Sequence, residues 1–255
     1  MGNVIAAHFA EKALKKLLRF VPAERFAALC AALIHEHIKK LAPAAALRFL
    51  FSLDNSLYAL EGELAIAYDH GIHTKHRHTG YHHFFISRIQ PHERVLDIGC
   101  GNGALAYDIV QNTQARITAI DINENNIREA RLRYPHPNIT YVVGDPTGGL
   151  IDYAADVVIL SNVLEHIKQR VTFLQKIRNA VRPLRFLIRI PVFERDWRVP
   201  LKKELGVEWR LDASHEIEYT IESFREEIAA AGLAIHYYEV RWGEIWTELR
   251  PVENR

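Results

Sequence analysis

The sequence predicts an α/β fold in which a seven-stranded, mostly parallel sheet follows a helical N-terminal region. From Arg94 onward, short apolar runs rich in β-branched residues alternate with stretches of helical periodicity. This alternation is typical of a parallel sheet with helices on both faces. The last two apolar runs are separated by a short connection that contains Gly243 and Glu244, which predicts an antiparallel hairpin at one edge of the sheet.

The elements of the predicted sheet domain can be placed along residues 81–255. Strands are predicted at Arg94–Ile98, Arg116–Ile120, Ile139–Val143, Asp156–Leu160, Arg185–Pro191, Ala234–Arg241 and Ile245–Leu249. Helices are predicted between them at Ala104–Gln111, Glu124–Arg133, Glu165–Val181 and Ile221–Ala231. The polar segment 193–219 is too long for a plain connection. We expect an insertion at the carboxyl edge of the sheet, where open α/β sheets bind ligands.

Residues 1–80 are predicted to form a separate helical region. They are rich in Ala and Leu at helical spacing, and Pro22 and Pro43 divide them into several helices. The first fifty residues hold eight Lys and Arg against three Asp and Glu. Such a region would suit an anionic membrane surface or a solvated lid, and we expect a lid that caps a substrate pocket. These helices also offer a surface for homo-oligomer formation.

Composition narrows the possible partners and the compartment. The chain has 255 residues with 32 Lys and Arg and 31 Asp and Glu, so no global basic field favours nucleic acid as a partner. In the N-terminal region, the uncharged stretch Phe26–Ile34 is far shorter than the roughly 20 residues that a transmembrane helix needs. Cys30 and Cys100 form no disulfide or metal spacing. We therefore expect a soluble cytoplasmic protein without a transmembrane segment.

A glycine-rich loop connects the first predicted strand to the next helix. Residues 95–103 form the sequence VLDIGCGNG, with glycines at positions 99, 101 and 103. Glycine allows the backbone to turn sharply and to approach a ligand closely. The amide groups at the start of the following helix favour a carboxylate or another anionic group. The loop is therefore a candidate ligand site.

Two acidic residues follow the next two strands. Asp121 ends the second strand eighteen positions after Gly103, where it could accept hydrogen bonds from both hydroxyls of a ribose. Asp145 follows the third strand and could accept from an adenine amino group. Alternatively, it could form a turn before Pro146.

The run from Asp97 to Gly103 resembles the acid-x-Gly-x-Gly-x-Gly signature of class I S-adenosylmethionine-dependent methyltransferases. A nicotinamide dehydrogenase would instead place its third glycine at Ala104. The resemblance extends from about Tyr81 to the C-terminus and implies a Rossmann-like seven-stranded sheet with S-adenosylmethionine as cofactor. By this resemblance, the methionine part of the cofactor would be contacted by Gly99, Cys100, Gly101, Gly103 and Asn162. Asp97 would approach the amino group, and Asp121 would bind the ribose. Ile122 and Asp145 would contact the adenine. Tyr81 or His78 would touch the cofactor carboxylate or the acceptor.

The run Asn162-Val163-Leu164-Glu165-His166 resembles a stretch in the branch of the family that methylates quinone precursors and other small molecules. This resemblance implies that Glu165 and His166 face the acceptor. Some relatives bind a divalent cation through a Glu-x-x-Glu-His arrangement and a remote histidine. Here Asn162 replaces the first Glu, so we expect no metal, although Glu165, His166 and His215 remain candidates for a reduced site.

The most favoured function is methylation of a hydroxyl on a small-molecule or glycan acceptor. Histidine suits the general base because its unperturbed pKa lies near neutrality. His166 and His215 are the candidates, and either one could instead serve only to shape the pocket. N-methylation, a non-catalytic cofactor-binding module and a nicotinamide dehydrogenase are the alternatives. The six histidines between His70 and His83 lack a zinc-finger spacing, so we expect a polar segment over the cofactor mouth.

Overall fold

The computed structural model describes residues 16, 18, 20–148 and 153–252. Most of the first nineteen residues of the predicted N-terminal lid therefore lie outside the described part. By its internal contacts the chain divides into two compact units, Met1–Asn55 and Ser56–Arg255. The domain boundary expected near residue 80 remains a prediction.

Two long helices occupy most of the described N-terminal region. Helix α1 is Ala23–Ile38 and helix α2 is Pro43–Tyr68. Pro22 directly precedes α1 and Pro43 is the first residue of α2, where the missing proline N–H costs no helical hydrogen bond. Within the described ranges, no helix combines the length and the apolar character that crossing a bilayer requires.

The second unit is built on one seven-stranded sheet with the order β3-β2-β1-β4-β5-β7-β6. Strands β1 to β5 run parallel, and β7 lies antiparallel to both β5 and β6. The α/β fold and the terminal hairpin are thereby confirmed. The strands are β1 Arg94–Ile98, β2 Arg116–Asp121, β3 Ile139–Val143, β4 Val157–Ser161, β5 Arg185–Pro191, β6 Leu233–Arg241 and β7 Glu244–Pro251.

In the described residues, further helices pack around this sheet or precede it. They are α3 Lys75–Thr79, α4 Tyr81–Ile86, α5 Ala104–Thr113, α6 Glu124–Arg133, α7 Arg170–Val181, α8 Arg198–Glu204 and α9 Ile221–Ala230. The helix expected over Glu165–Val181 is wrong at its start. Leu164–His166 forms a single 3-10 turn, and Ile167 then adopts an extended conformation that separates this turn from α7.

The sheet separates two apolar cores because successive residues of a strand point to opposite faces. One core joins β1, β4 and β5 to α7 and α9, and the other joins them to α4, α5 and α6. The chain leaves β1 for β2 on one side of the sheet and adds β4 on the other. The carboxyl ends of β1 and β4 therefore form the point where strand order reverses, the usual ligand site of such sheets.

The insertion 193–219 returns to its starting point. It contains a 3-10 turn at Phe193–Arg195 and helix α8, and then a loop that ends at Tyr219. Val192 and Tyr219 pair in an isolated parallel bridge, so both ends of the insertion lie beside β5. The insertion is thus fixed at the carboxyl edge, next to the end of β4.

Candidate active site

A cavity of about 210 Å³ opens at the carboxyl ends of β1 and β4. Its walls come from the glycine loop, the end of β4, β5 and the two short helices before β1. It is lined by Lys75, His76, Tyr81, Asp97, Gly99, Cys100, Gly101, Asn102, Ala104, Leu105, Ser161, Asn162 and Arg189. The structure therefore brings six of the residues expected at the cofactor into one cavity: Tyr81, Asp97, Gly99, Cys100, Gly101 and Asn162.

The glycines at 99, 101 and 103 serve different purposes in the loop. All three have a positive φ, between 56° and 81°. A Cβ on Gly99 would lie 2.6 Å from Val163 Cγ2, and one on Gly103 would lie 2.8 Å from the ring of Tyr141. A Cβ on Gly101 would meet no atom within 4 Å. Two glycines are therefore needed for packing inside the protein, whereas Gly101 keeps the cavity itself open.

Asp121 fixes the glycine loop from the tip of β2. Its Oδ2 accepts a hydrogen bond of 2.8 Å from the Gly101 N–H, and its Oδ1 accepts from the Asn123 N–H and the Asn126 side chain. Each carboxylate oxygen can accept two hydrogen bonds, so Oδ2 retains capacity for a ligand hydroxyl. The side chain of the next residue, Ile122, is 69% exposed and offers an apolar surface beside this carboxylate.

Asp97 and Asn162 present unsatisfied polar atoms in the cavity wall. Oδ2 of Asp97 and Oδ1 of Asn162 are buried without a hydrogen-bond partner among the described residues. Burial, together with the charge of Asp121, raises the pKa of Asp97 to about 7. An unpaired buried polar group costs about 1–3 kcal/mol. Two such acceptors beside the open space at Gly101 fit a ligand that brings a cationic amino group, such as the amino-acid end of S-adenosylmethionine.

The raised pKa of Asp97 gives a pH-dependent contribution to stability. Between pH 3.8, the usual pKa, and about 7, the folded protein retains a proton that the unfolded chain releases. Stability therefore falls as the pH rises through this window. We expect Asp97→Asn to remove this loss. The free energy of unfolding of the variant should therefore increase relative to that of the wild type between pH 4 and 7, and the difference should stay constant above pH 7. Urea unfolding across this range checks the slope.

Asp156→Asn serves as the control of opposite sign, because the hydrogen bonds from Arg94 lower the pKa of Asp156. That variant should lose ground to the wild type only as the pH rises towards 3.8, the usual pKa, and should then keep a constant difference from the wild type between pH 4 and 7. A constant difference between Asp97→Asn and the wild type at every pH would contradict the buried carboxyl described above.

A second group of titratable residues lies beyond the end of β4, where the 3-10 turn meets the insertion. Ligand atoms of Glu165, His166 and His215 all lie within 4.8 Å of one another. The rings of His166 and His215 meet edge to face at 4.6 Å. These are the three residues that the sequence analysis kept as candidates for a reduced metal site, and the structure brings them together. These atoms are close enough to share a cation, and the expectation that no metal takes part remains a prediction.

Glu165 is fully buried, and neither carboxyl oxygen has a hydrogen-bond partner in the described part of the chain. Burial is the main cause that raises the pKa of Glu165 to about 8; a backbone hydrogen bond and the charge of Arg189 oppose it, and the carboxylates of Glu218 and Glu244 add to it. The group is therefore largely a neutral acid at pH 7, able both to donate and to accept a hydrogen bond.

His215 belongs to a buried chain of charges that the sequence analysis missed. Its Nδ1 lies 2.9 Å from Glu218 Oε1, and Glu218 Oε2 accepts from Arg195 Nη1 at 2.5 Å. Burial alone would raise the pKa of Glu218, but the hydrogen bonds from His215 and from the Leu211 N–H, with the charge of Arg195, hold it below its usual value. The ionised Glu218 thus fixes a proton on Nδ1 and leaves Nε2 of His215 as a proton acceptor.

Arg189 and His76 were also missed, although Arg189 carried a signal. A charged residue inside the apolar run of β5 indicates a buried ion pair. Arg189 donates to Glu244 at 2.8 and 3.1 Å, and its guanidinium lies 3.7 Å from the ring centroid of Tyr81. Tyr81 Oη in turn lies 3.1 Å from His76 Nδ1. Burial and neighbouring positive charges lower the pKa of His76 to about 4, so His76 is neutral.

The remaining residues that the sequence analysis proposed, Asp145 and His78, do not line the cavity. Asp145 is exposed, and its Oδ1 accepts from the N–H and the hydroxyl of Thr147, which is the turn that the sequence analysis gave as the alternative. The adenine contact of Asp145 remains a prediction. His78 is exposed and contacts Arg77, outside the cavity lining. The histidines of segment 70–83 contribute to no potential metal cluster in the described residues.

Comparison with known proteins finds similarity in the part of the chain that forms the sheet and the glycine loop. A profile of the family described as "Methyltransferase domain" matches residues 96–188, from β1 into β5. The chain is 26% identical over 159 residues to the 2-methyl-6-phytyl-1,4-hydroquinone methyltransferase of Synechocystis, across 58% of this chain and 48% of that protein. It is 30% identical over 96 residues to the mitochondrial ubiquinone biosynthesis O-methyltransferase of Schizosaccharomyces pombe, across 36% and 35% of the two chains.

The chain thus spans less than half the length of these curated relatives. Among solved structures, it resembles the magnesium protoporphyrin IX methyltransferase of Synechocystis, crystallised with bound S-adenosylhomocysteine. The TM-score is 0.55 at 17% identity, and the match covers 68% of this chain and 83% of that one. At this identity the structural similarity shows a shared fold.

Proposed function

Because the chain belongs to the class I S-adenosylmethionine-dependent methyltransferases, we propose that it transfers the methyl group of this cofactor to a hydroxyl of a small-molecule or glycan acceptor. The observation that favours a hydroxyl is the His215–Glu218 pair, which supplies an oriented proton acceptor beside Glu165. A neutral hydroxyl must lose a proton when its oxygen is methylated, so a positioned base contributes to the rate.

S-adenosylmethionine supplies an electrophilic methyl group on a positively charged sulfonium. In our proposal, Asp97 and Asn162 hold its amino-acid end, and Gly101 leaves the space that this end fills. Asp121 accepts from its ribose while fixing the loop through the Gly101 N–H. Much of the rate then comes from holding the acceptor in line with the methyl group.

The proton of the acceptor has a defined route. Nδ1 of His215 is committed to Glu218, so Nε2 can take the hydroxyl proton. Glu218 stays ionised beside Arg195 and stabilises the imidazolium that forms. The neutral Glu165 can donate a hydrogen bond to the acceptor oxygen and so orient it. His166 is held by the Ser214 hydroxyl, which lies 3.0 Å from its Nδ1, and shapes the wall next to His215.

A small acceptor agrees with the names of the relatives. Two of them are named for hydroquinone and ubiquinone-precursor methylation. Their activity concerns only those proteins, but phenolic hydroxyls are the acceptor class that a neutral base can most readily activate, because a phenol has a pKa near 10. N-methylation is the second candidate. It is less favoured because a neutral amine attacks without prior removal of a proton, so the His215–Glu218 pair would have no role.

The experiment is a methyl-transfer assay with radiolabelled S-adenosylmethionine and matched acceptor pairs. Each pair consists of a catechol or hydroquinone and the corresponding aromatic amine, tested with and without a chelator. We expect label in the phenols, unchanged by the chelator, and little in the amines. Label only in the amines would contradict O-methylation. Cofactor binding without labelling of any acceptor in the panel would support the non-catalytic alternative, and chelator-sensitive labelling would contradict the expected independence of metal.

A further inference from the structure

The cavity lining contains one positive charge that no described residue neutralises. Lys75 Nζ makes no hydrogen bond or ion pair with any residue that the structure describes, although Lys75 lines the same cavity as Asp97 and Asn162. Arg189, the other cationic side chain of the lining, is already paired with Glu244 through two hydrogen bonds. Lys75 is thus the cation left available to a ligand in this cavity.

The surroundings of Lys75 disfavour its charge unless an anion arrives. Burial of part of the side chain and the charge of Arg189 lower the pKa of Lys75, and the charges of Glu244 and Glu165 only partly offset this effect. The side chain of Lys75 remains partly open to solvent at the cavity rim, and a carboxylate at hydrogen-bond distance would favour its charged form. The cavity therefore holds an unpaired ammonium on α3 and an unpaired carboxyl on β1, at Asp97, which is 1% exposed.

These two groups complement the two charges of an α-amino acid. We propose that Lys75 binds the α-carboxylate of the cofactor's amino-acid end while Asp97 accepts from its amino group. The proposal rests on the cofactor site proposed above and adds a determinant of cofactor choice. A cofactor that keeps the amino group but lacks the carboxylate should bind less tightly, because it would leave the Lys75 ammonium without an anionic partner.

The short helix α3 holds Lys75 in place for this contact. The Lys75 N–H donates to His73 Nδ1, and the Lys75 carbonyl accepts from the Thr79 hydroxyl at 2.7 Å. Helix α4 follows directly and buries Tyr81 in the same cavity wall, against Arg189. The segment before β1 therefore supplies one wall of the cavity, and Lys75 provides its charge.

Isothermal titration calorimetry with two probes tests the proposal. The probes are S-adenosylmethionine and decarboxylated S-adenosylmethionine, which retains the sulfonium and the amino group. We expect the wild type to prefer the first probe about 10- to 100-fold, the weight of one hydrogen bond between charged groups. Lys75→Ala should lose most of this preference, because the substitution should lower the affinity only for S-adenosylmethionine. Lys75→Arg, which restores the charge, should recover much of it.

Lys176→Ala is the matched control, because Lys176 is an exposed lysine on α7 outside this cavity. It should retain the wild-type preference. If Lys75→Ala keeps the wild-type preference while the wild type binds S-adenosylmethionine, the assignment of Lys75 is wrong and the cofactor site stands. If the wild type binds neither probe, the proposed function itself fails.

Discussion

Replacing Gly101 by Leu is expected to weaken cofactor binding strongly and to leave the protein folded. The side chain would enter open space, since a Cβ at this position meets no protein atom within 4 Å. It would therefore occupy the volume assigned to the amino-acid end of the cofactor. The loop cannot retreat easily because Asp121 holds the Gly101 N–H. Overpacking a fixed site costs about 1–3 kcal/mol or more, so we expect the affinity for S-adenosylhomocysteine to fall about 100-fold or further in calorimetry.

Gly206→Leu provides the matched control for backbone strain. Gly206 also has a positive φ, of 71° against 56° at Gly101, and a Cβ there likewise meets nothing within 4 Å. It lies after helix α8 and does not line the cavity. Both variants should lose about 1–2 kcal/mol of stability from the left-handed conformation. Only the variant at Gly101 should lose binding, and an affinity within a few-fold of the wild type there would place the ligand elsewhere.

His215→Ala is expected to reduce turnover about 10²- to 10⁴-fold, the usual contribution of a general base. Cofactor affinity should change little, because His215 does not line the cofactor cavity. Glu218→Gln should give a smaller loss, since it retains the shape of the side chain but not its charge. The measurement is single-turnover methyl transfer to the best phenolic acceptor, with calorimetry of S-adenosylhomocysteine alongside.

Two further histidine variants serve as a control and as a comparison for His215→Ala. His236→Ala, at an exposed position on β6, should keep turnover within about twofold, as surface substitutions usually do. His166→Ala separates the two histidine candidates, because the Ser214 contact gives His166 a packing role and predicts a smaller loss than at His215. If His215→Ala lowers cofactor affinity and turnover to the same extent, His215 has a structural role and is not the general base.

The sequence predicted the sheet well because its signals are local. Apolar runs, helix periodicity and the Gly243 turn each lie within a few residues, and the observed strands agree closely with them. The start of α7 was misplaced for the opposite reason. Glu165 and His166 belong to a turn whose geometry depends on the insertion, since the Glu165 carbonyl accepts from the Glu216 N–H fifty residues later.

The polar network around the site was hidden for the same reason. Glu218 and Arg195 lie at opposite ends of the insertion, and the sequence does not show that these ends meet. Lys75 was one of several basic residues in a histidine-rich segment, and only the cavity distinguishes it from the others. Asp121 was expected to act on a ligand alone, whereas the structure adds its hydrogen bond to the loop.

A crystal structure with S-adenosylhomocysteine tests the central claim most directly. We expect the amino-acid end in the cavity beside Gly101, with its amino group at Asp97 and its carboxylate at Lys75. The ribose hydroxyls should lie within about 3.2 Å of the Asp121 carboxylate, the usual limit of a hydrogen bond. A ligand bound elsewhere, or a cavity that instead accepts the pyrophosphate of a dinucleotide, would contradict the account.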